Sequence, residues 1–85
     1  MSSCDYYERT QVGPLRVHGL AENNNGLPAD SVVVIKWGPS PKHPIGSVEL
    51  VISFMPEVDR PPISICASVD VVEKLVKSLK EAIHV

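Results

Sequence analysis

The residues of this 85-residue chain that could form a reactive site are two cysteines and three histidines: Cys4, Cys66, His18, His43 and His84. A cysteine attacks as the thiolate, so it needs a histidine base or a positive field beside it. Cys66 stands four residues before Asp70, close to the start of a predicted helix, and is therefore the candidate reactive thiol. An inert strand cysteine is the commoner arrangement, so the sequence favours a chain that is not an enzyme.

The same residue types do not form a metal or cofactor motif. No two of the cysteines and histidines have the spacing of two to four residues that structural zinc sites use. The five glycines are isolated, so no phosphate-binding loop is present, and no serine stands in a nucleophile-elbow sequence. The sequence therefore predicts neither a cofactor nor a metal.

The charge balance bears on the class of partner. Eight Lys and Arg residues face ten Asp and Glu residues, giving a net charge of -2, and no basic run occurs. Proteins that bind nucleic acid normally carry a basic patch that replaces counterions on the phosphates. We therefore expect a protein partner or a second copy of the chain, and no nucleic acid.

Apolar runs and cysteine usage bear on location. The longest apolar run, Val32 to Ile35, is far shorter than a membrane span, and Asp5 and Glu8 stand where a secretory signal would be basic or apolar. Two cysteines are too few for a disulfide framework, although a single Cys4 to Cys66 bridge stays open. These features predict a cytoplasmic protein that does not enter a membrane.

The clearest element that could position such residues is a C-terminal helix from Val69 to Ile83. Its apolar residues recur at the helical spacing of three and four: Val72, Leu75, Val76, Leu79, Ala82 and Ile83. Asp70, with Glu73 three residues later, is the predicted N-cap. A helix of this length is marginal alone, so it must pack its apolar stripe against another element.

Alternating and β-branched segments predict four strands: Leu15 to Ala21, Ser31 to Trp37, Val48 to Met55, and Ile63 to Val69. The connections between them are short and rich in Asn, Gly and Pro, which favours antiparallel neighbours. We therefore predict an α+β fold, a four-stranded antiparallel meander (β-β-β-β-α) with the helix on one sheet face. Residues 1–85 form one domain, in which residues 1–12 are a flexible or sheet-covering segment.

The second sheet face is the predicted interaction surface. If the helix covers the face with Val33 and Ile35, a set of apolar residues points the other way: Val32, Val34, Val51 and Met55. An apolar patch rimmed by polar residues often marks an association surface. The alternative is that Tyr6, Tyr7 and nearby N-terminal residues cover it.

Trp37 completes the set of interface candidates, because it opens the proline-rich segment from Gly38 to Gly46. This segment could be a recognition loop with Trp37 as its anchor, although a stiffened hairpin loop after a core strand is favoured. The sequence thus predicts a non-enzymatic protein-binding module, an adaptor, inhibitor or accessory protein, with homodimerisation through the second face or an edge strand as one form of it. The alternative is a small cysteine-dependent enzyme or thiol sensor centred on Cys66.

Overall fold

In the described part of the chain, strands and connecting loops extend to residue 68, and the C-terminal helix begins at the next residue. A computed structural model describes residues 3–20 and 26–85. The elements are β1 (Cys4–Gln11), β2 (Arg16–Val17), β3 (Leu27–Trp37), β4 (Ser47–Phe54), β5 (Ile63–Ser68) and the helix α1 (Val69–Ile83), with a 3-10 turn at Pro56–Val58.

The antiparallel sheet has the order β1-β3-β4-β5, and α1 packs on one of its faces. The predicted α+β class, with four antiparallel strands and one C-terminal helix, is confirmed. β2 pairs only with the start of β3, through Arg16 with Pro28 and Val17 with Leu27.

The first strand was predicted in the wrong place. The edge strand is β1, whereas only Arg16 and Val17 of the segment from Leu15 to Ala21 pair in a sheet, and Ala21 lies outside the described residues. β1 is exposed along its whole length, so its sequence carries no apolar alternation that would reveal it. Because β1 pairs with β3, residues 4–11 extend the sheet and do not lie over its second face.

The phase of β3 is also shifted from the prediction. Val34 pairs with Leu50 and Val33 pairs with Val51, and directly paired residues share a face. Val32 and Val34 therefore lie on the helix side, whereas Val33 and Ile35 lie on the opposite side. A continuous β-branched run has no alternation of its own, so only the hydrogen-bonded ladder to β4 sets its phase.

The sheet has a helix face, on which α1 packs, and an open face on the opposite side. Along β3, β4 and β5 the helix face carries one charged residue, Lys36, and otherwise apolar ones: Val32, Val34, Val48, Leu50, Ile52, Ile63, Ile65 and Ala67. The open face carries Ser31, Val33, Ile35, Trp37, Ser47, Glu49, Val51, Ser53, Ser64, Cys66 and Ser68. The open face is thus the more polar of the two, opposite to what an uncovered apolar face would require.

The boundaries of the helix match the prediction, but its first turn differs. The N-cap is Ser68 rather than Asp70, with extended backbone angles and no side-chain bond to the helix backbone. The Ser68 hydroxyl instead donates to the Asp70 carboxylate at 2.5 Å. This hydrogen bond is the main reason why the pKa of Asp70 is lowered, because it stabilises the charged carboxylate.

The buried core of the described residues is small. Its apolar members are Ala29, Val33 and Phe54, and the polar Ser31 and Ser47 are buried too. Ser31, Val33 and Ser47 belong to the open face, so that face is buried at its centre although no helix packs on it. Ser31 is satisfied there, because its hydroxyl accepts a hydrogen bond from the Arg9 guanidinium at 3.2 Å. No helical residue is fully buried. Most of the apolar side chains of this domain are therefore only partly removed from water.

Candidate interaction surface

The five predicted interface residues do not form one surface. Val32 and Val34 lie on the helix face, and Val34 contributes to the groove under α1. Val51 and Trp37 lie on the open face. Met55 follows the end of β4 and precedes the 3-10 turn, so it is not a strand residue. The placement of Val32 and Val34 on one face with Val51 was wrong, and the reason is the phase of β3. Trp37 was predicted separately, as the anchor of the proline-rich loop.

The open face is organised around the carboxylate of Glu49. The Trp37 indole N–H donates to one Glu49 oxygen at 2.9 Å, and the Ser64 hydroxyl donates to the other. These two bonds, with Ser64 contributing most, hold the pKa of Glu49 below its ordinary value. The three side chains join β3, β4 and β5 by hydrogen bonds and give the open face a polar centre.

Trp37 is half-buried at the end of β3. The loop that follows it is closed by backbone hydrogen bonds between its own residues. In that loop the backbones of Ser40 and His43 exchange hydrogen bonds at 3.0 and 3.1 Å, and Gly46 donates to His43 at 2.8 Å. Gly46 has φ +92°, and a Cβ there would lie 2.7 Å from the Trp37 carbonyl oxygen. This geometry is that of a closed hairpin loop, as the favoured sequence interpretation expected.

Cys66 is exposed on the open face, directly opposite Glu49 on β4. Within residues 3–20 and 26–85, no histidine shares a hydrogen bond with Cys66. The described neighbourhood of Cys66 therefore lacks a hydrogen-bonded base.

Cys4 and Cys66 lie at opposite edges of the sheet, on β1 and β5. Three strand spacings separate them, a distance of about 14 Å. A disulfide requires Cα atoms within about 7 Å, so the two cysteines of one chain do not form the bridge that the sequence left open. Both are free. The described residues also contain no cluster of three His, Cys, Asp or Glu side chains that could hold a metal.

An apolar surface lies between α1 and the helix face. A groove of about 330 Å³ opens there, lined by Val34, Val48, Leu50, Ile65, Ala67, Val72, Leu75, Val76 and Leu79. Several of these residues remain strongly exposed: Leu75 is 55% exposed, Leu79 62% and Ile65 53%. The helix therefore covers the sheet incompletely, and its own apolar stripe stays in contact with water.

The apolar surface of α1 is wider than one sheet contact requires. At about 100° per residue, all six charged residues fall within an arc of about 120°: Asp70, Glu73, Lys74, Lys77, Lys80 and Glu81. The rest of the circumference is apolar or small, whereas one core contact uses a stripe of about 100°. Beside the residues that line the groove runs a second stripe, Val71, Leu75, Ser78 and Ala82, at spacings of four, three and four.

This second stripe is the feature that the sequence analysis missed. The apolar positions were assigned to a single stripe facing the sheet, and Val71 and Ser78 were left out of it. The available signal was the confinement of every charged residue to one arc, which leaves more apolar circumference than the sheet can cover.

The two edges of the sheet differ in chemistry. β1 carries Asp5, Glu8 and Arg9, and its pairing to β3 is irregular between Cys4 and Tyr6. Charges and irregularities of this kind protect an edge strand from pairing with another chain. β5 has the sequence Ile-Ser-Ile-Cys-Ala-Ser, with no charge and no proline, and most of it is half-buried or exposed. β5 is thus the unprotected edge.

The dimensions of the chain agree with incomplete burial. Its accessible surface is 6306 Å², whereas a compact monomer of 9.3 kDa exposes about 5,000 Å². The radius of gyration is 14.5 Å, against about 12 Å for a compact domain of this length. The chain therefore exposes about 1,300 Å² more than a compact domain of its mass.

Comparison of the chain with protein-family models, with curated proteins and with solved structures gives no match in any of the three. Among the described helices, none has the length and apolar composition needed to cross a membrane.

Proposed function

We propose that this chain is a non-enzymatic protein-binding module whose function is association through the apolar surface of α1 and β5. The observation that carries the proposal is the excess accessible surface of about 1,300 Å² over a compact monomer. A stable interface buries about 800 Å² from each partner, and obligate ones bury more. The excess surface of the whole chain is comparable in area to one side of such an interface.

The character of that surface supports the same proposal. Leu75 and Leu79 project from α1 and Ile65 from β5, each more than half exposed. They are contiguous around the groove rather than scattered over the molecule. Contiguous exposed apolar side chains rimmed by polar residues often mark sites of protein association.

This proposal moves the predicted surface. The sequence indicated association through the face opposite the helix, but that face is centred on Glu49 and its hydrogen bonds to Trp37 and Ser64. Desolvating such a polar cluster would cost free energy, whereas desolvating Leu75 and Leu79 stabilises a complex. The association surface is therefore assigned to the helix side and the β5 edge.

Multi-angle light scattering on the eluting protein tests the proposal. We expect a mass that rises from one chain of 9.3 kDa to twice that value over the micromolar range, or a stoichiometric complex with a partner isolated by affinity capture. A chain that stays monomeric to millimolar concentration and retains no partner at stoichiometric amounts would contradict it.

The alternative is a cysteine-dependent enzyme or thiol sensor at Cys66. Among the described residues, no contact of Cys66 supports it. Its test is the alkylation rate of Cys66 at neutral pH, measured in a Cys4→Ser chain. A rate no faster than that of a free thiol in a short peptide removes this alternative.

A further inference from the structure

We infer that the partner is a second copy of this chain, joined antiparallel along β5 so that two sheets become one and the two α1 helices lie side by side on it. The inference rests on the proposed association function and specifies its partner and geometry. It follows from the direction of the backbone groups on β5, the position of the second stripe on α1, and the area available.

The free edge of β5 presents a defined set of backbone groups. Val69 donates its N–H to the Gly46 carbonyl, and these residues continue the β4–β5 register, in which Ser47 pairs with Ser68. Because hydrogen-bonding direction alternates along a strand, odd-numbered residues of β5 bond to β4. The even-numbered residues Ser64, Cys66 and Ser68 therefore direct their N–H and C=O groups outward.

Two-fold symmetry then restricts the register. An axis perpendicular to the sheet pairs β5 with its copy antiparallel and keeps each face continuous, so residues of the same face must stand opposite each other. Centring the axis on Cys66 pairs Cys66 with its own copy and Ser64 with Ser68 of the second chain. This register uses all the outward backbone groups of β5, and Pro61 and Pro62 lie just outside it.

The second stripe of α1 lies on the matching side. A right-handed helix that runs back over the sheet from the end of β5 places Val71, Leu75, Ser78 and Ala82 away from β4, above the free edge. In the symmetric pair the two stripes face each other across the axis, and the helices are antiparallel. Small residues such as Ser78 and Ala82 allow a close approach of the two backbones.

Charge also fits an antiparallel helix pair. The charged residues that border the second stripe are Lys74 and Glu81, seven residues apart. In antiparallel packing, Lys74 of one chain lies within side-chain reach of Glu81 of the other, and the reverse pair forms by symmetry. A parallel pair would place like charges together. The helix surface is thus complementary to its own two-fold copy.

The experiment uses the two native cysteines, one at each edge of the sheet. The Cys4→Ser chain retains only Cys66, at the proposed axis, and the Cys66→Ser chain retains only Cys4, at the far edge. Both chains are treated with a short bifunctional thiol reagent at a concentration where light scattering gives the mass of a dimer. We expect covalent dimers from the Cys4→Ser chain and none from the Cys66→Ser chain.

A charge variant gives an independent readout. Cys66→Lys places like charges opposite each other at the axis but sets each of them beside Glu49 of its own sheet, so the single chain tolerates it. We expect about tenfold weaker dimerisation, with unchanged circular dichroism. Cys4→Lys, the matched change at the β1 edge, should leave dimerisation unchanged.

The outcomes separate this inference from the proposed function. Three results would overturn pairing through β5 while leaving an association module. They are covalent dimers from the chain that retains only Cys4, equal yields from both chains, and a dimer seen by light scattering that is cross-linked in neither chain. An equal loss of affinity in Cys66→Lys and Cys4→Lys would overturn it as well. A strictly monomeric chain without a partner removes both the inference and the function on which it rests.

Discussion

At the scale of single residues, Glu49 is the side chain whose surroundings have the clearest consequence. Its carboxylate accepts hydrogen bonds from Ser64 and Trp37, which favour the charged form and lower its pKa. A carboxyl group with a lower pKa in the folded chain stabilises the fold above its ordinary pKa, and this stabilisation is lost as the pH falls through the folded value.

We therefore predict that Glu49→Gln is less stable than the native chain at pH 7 and loses less stability between pH 7 and pH 3. The measurement is the urea midpoint at fixed protein concentration, followed by the fluorescence of Trp37, the only tryptophan. The reporter is direct, because the Trp37 indole bonds to this carboxylate. Parallel pH profiles of the two proteins would show that Glu49 does not contribute to acid sensitivity.

Gly46 is the residue whose backbone sets the β3–β4 hairpin loop. At φ +92° an added Cβ would lie 2.6 Å from the Lys36 Nζ and 2.7 Å from the Trp37 carbonyl oxygen. The lysine can move away, but the carbonyl belongs to the last residue of β3. We predict that Gly46→Ala lowers the free energy of unfolding by about 1–3 kcal/mol.

Urea denaturation measures this loss, and Gly13→Ala is the matched control. Gly13 has no described atom within 4 Å of an added Cβ and no positive φ, so its substitution should change stability by less than about 0.5 kcal/mol. Equal effects at the two glycines would show that the close approach at Gly46 is relieved at no cost.

At the scale of elements, α1 has two adjoining apolar stripes that share Leu75. Val72, Val76 and Leu79 line the groove over the sheet, whereas Val71 and Ala82 belong to the second stripe. The separation allows one surface to be altered while the other is kept. Val71 is suited to this purpose, because it is 43% exposed and does not line the groove.

We predict that Val71→Glu weakens self-association about tenfold or more without loss of helix, since a buried charge at the helix pair is costly. Glutamate has a higher helix propensity than valine and suits the first turn, so the single chain should fold at least as well. Sedimentation equilibrium and far-ultraviolet circular dichroism measure the two effects.

Two further variants serve as controls for that prediction. Lys77→Gln makes the same change in net charge on the solvent side of α1 and should leave association unchanged. Val51→Lys, on the open face, should also leave it unchanged. A dimer weakened by Val51→Lys and unaffected by Val71→Glu would return the interface to the face that the sequence had indicated.

At the scale of the whole molecule, the small core links stability to association. Only Ala29, Val33 and Phe54 are buried among the apolar residues described, and most others are half-buried or exposed, so further burial in a complex would add stability. Binding of a partner to the folded chain alone stabilises it by mass action. For a self-associating chain, this makes the apparent stability depend on total protein concentration.

We accordingly predict that the thermal midpoint rises by several degrees for each tenfold increase in protein concentration, because the folded dimer is favoured by mass action. Differential scanning fluorimetry from about 1 to 100 μM checks this. Under the same conditions Val71→Glu should show a smaller rise. A midpoint independent of concentration in the native chain would indicate that folding and association are not coupled.

The local sequence determined much of this protein. The spacing of apolar residues predicts the boundaries of α1 and the strands that begin near residues 48 and 63. An amphipathic helix and a half-buried strand each require apolar residues at a characteristic period, 3.6 and 2 residues. The antiparallel arrangement followed from short connections that cannot cross over the sheet. The segregation of charge on α1 is likewise visible in the sequence alone.

Tertiary structure decided the rest. β1 has no buried face and so no period, and its strand exists because β3 offers an unpaired edge. The run from Val32 to Ile35 is apolar at every position, so the ladder to β4, rather than the residues themselves, chose which side of the sheet each one faces. As a result, Val32 and Val34 lie on the helix side and the open face is the more polar one. The exposed apolar side chains lie on α1 and at the edge strand β5 instead.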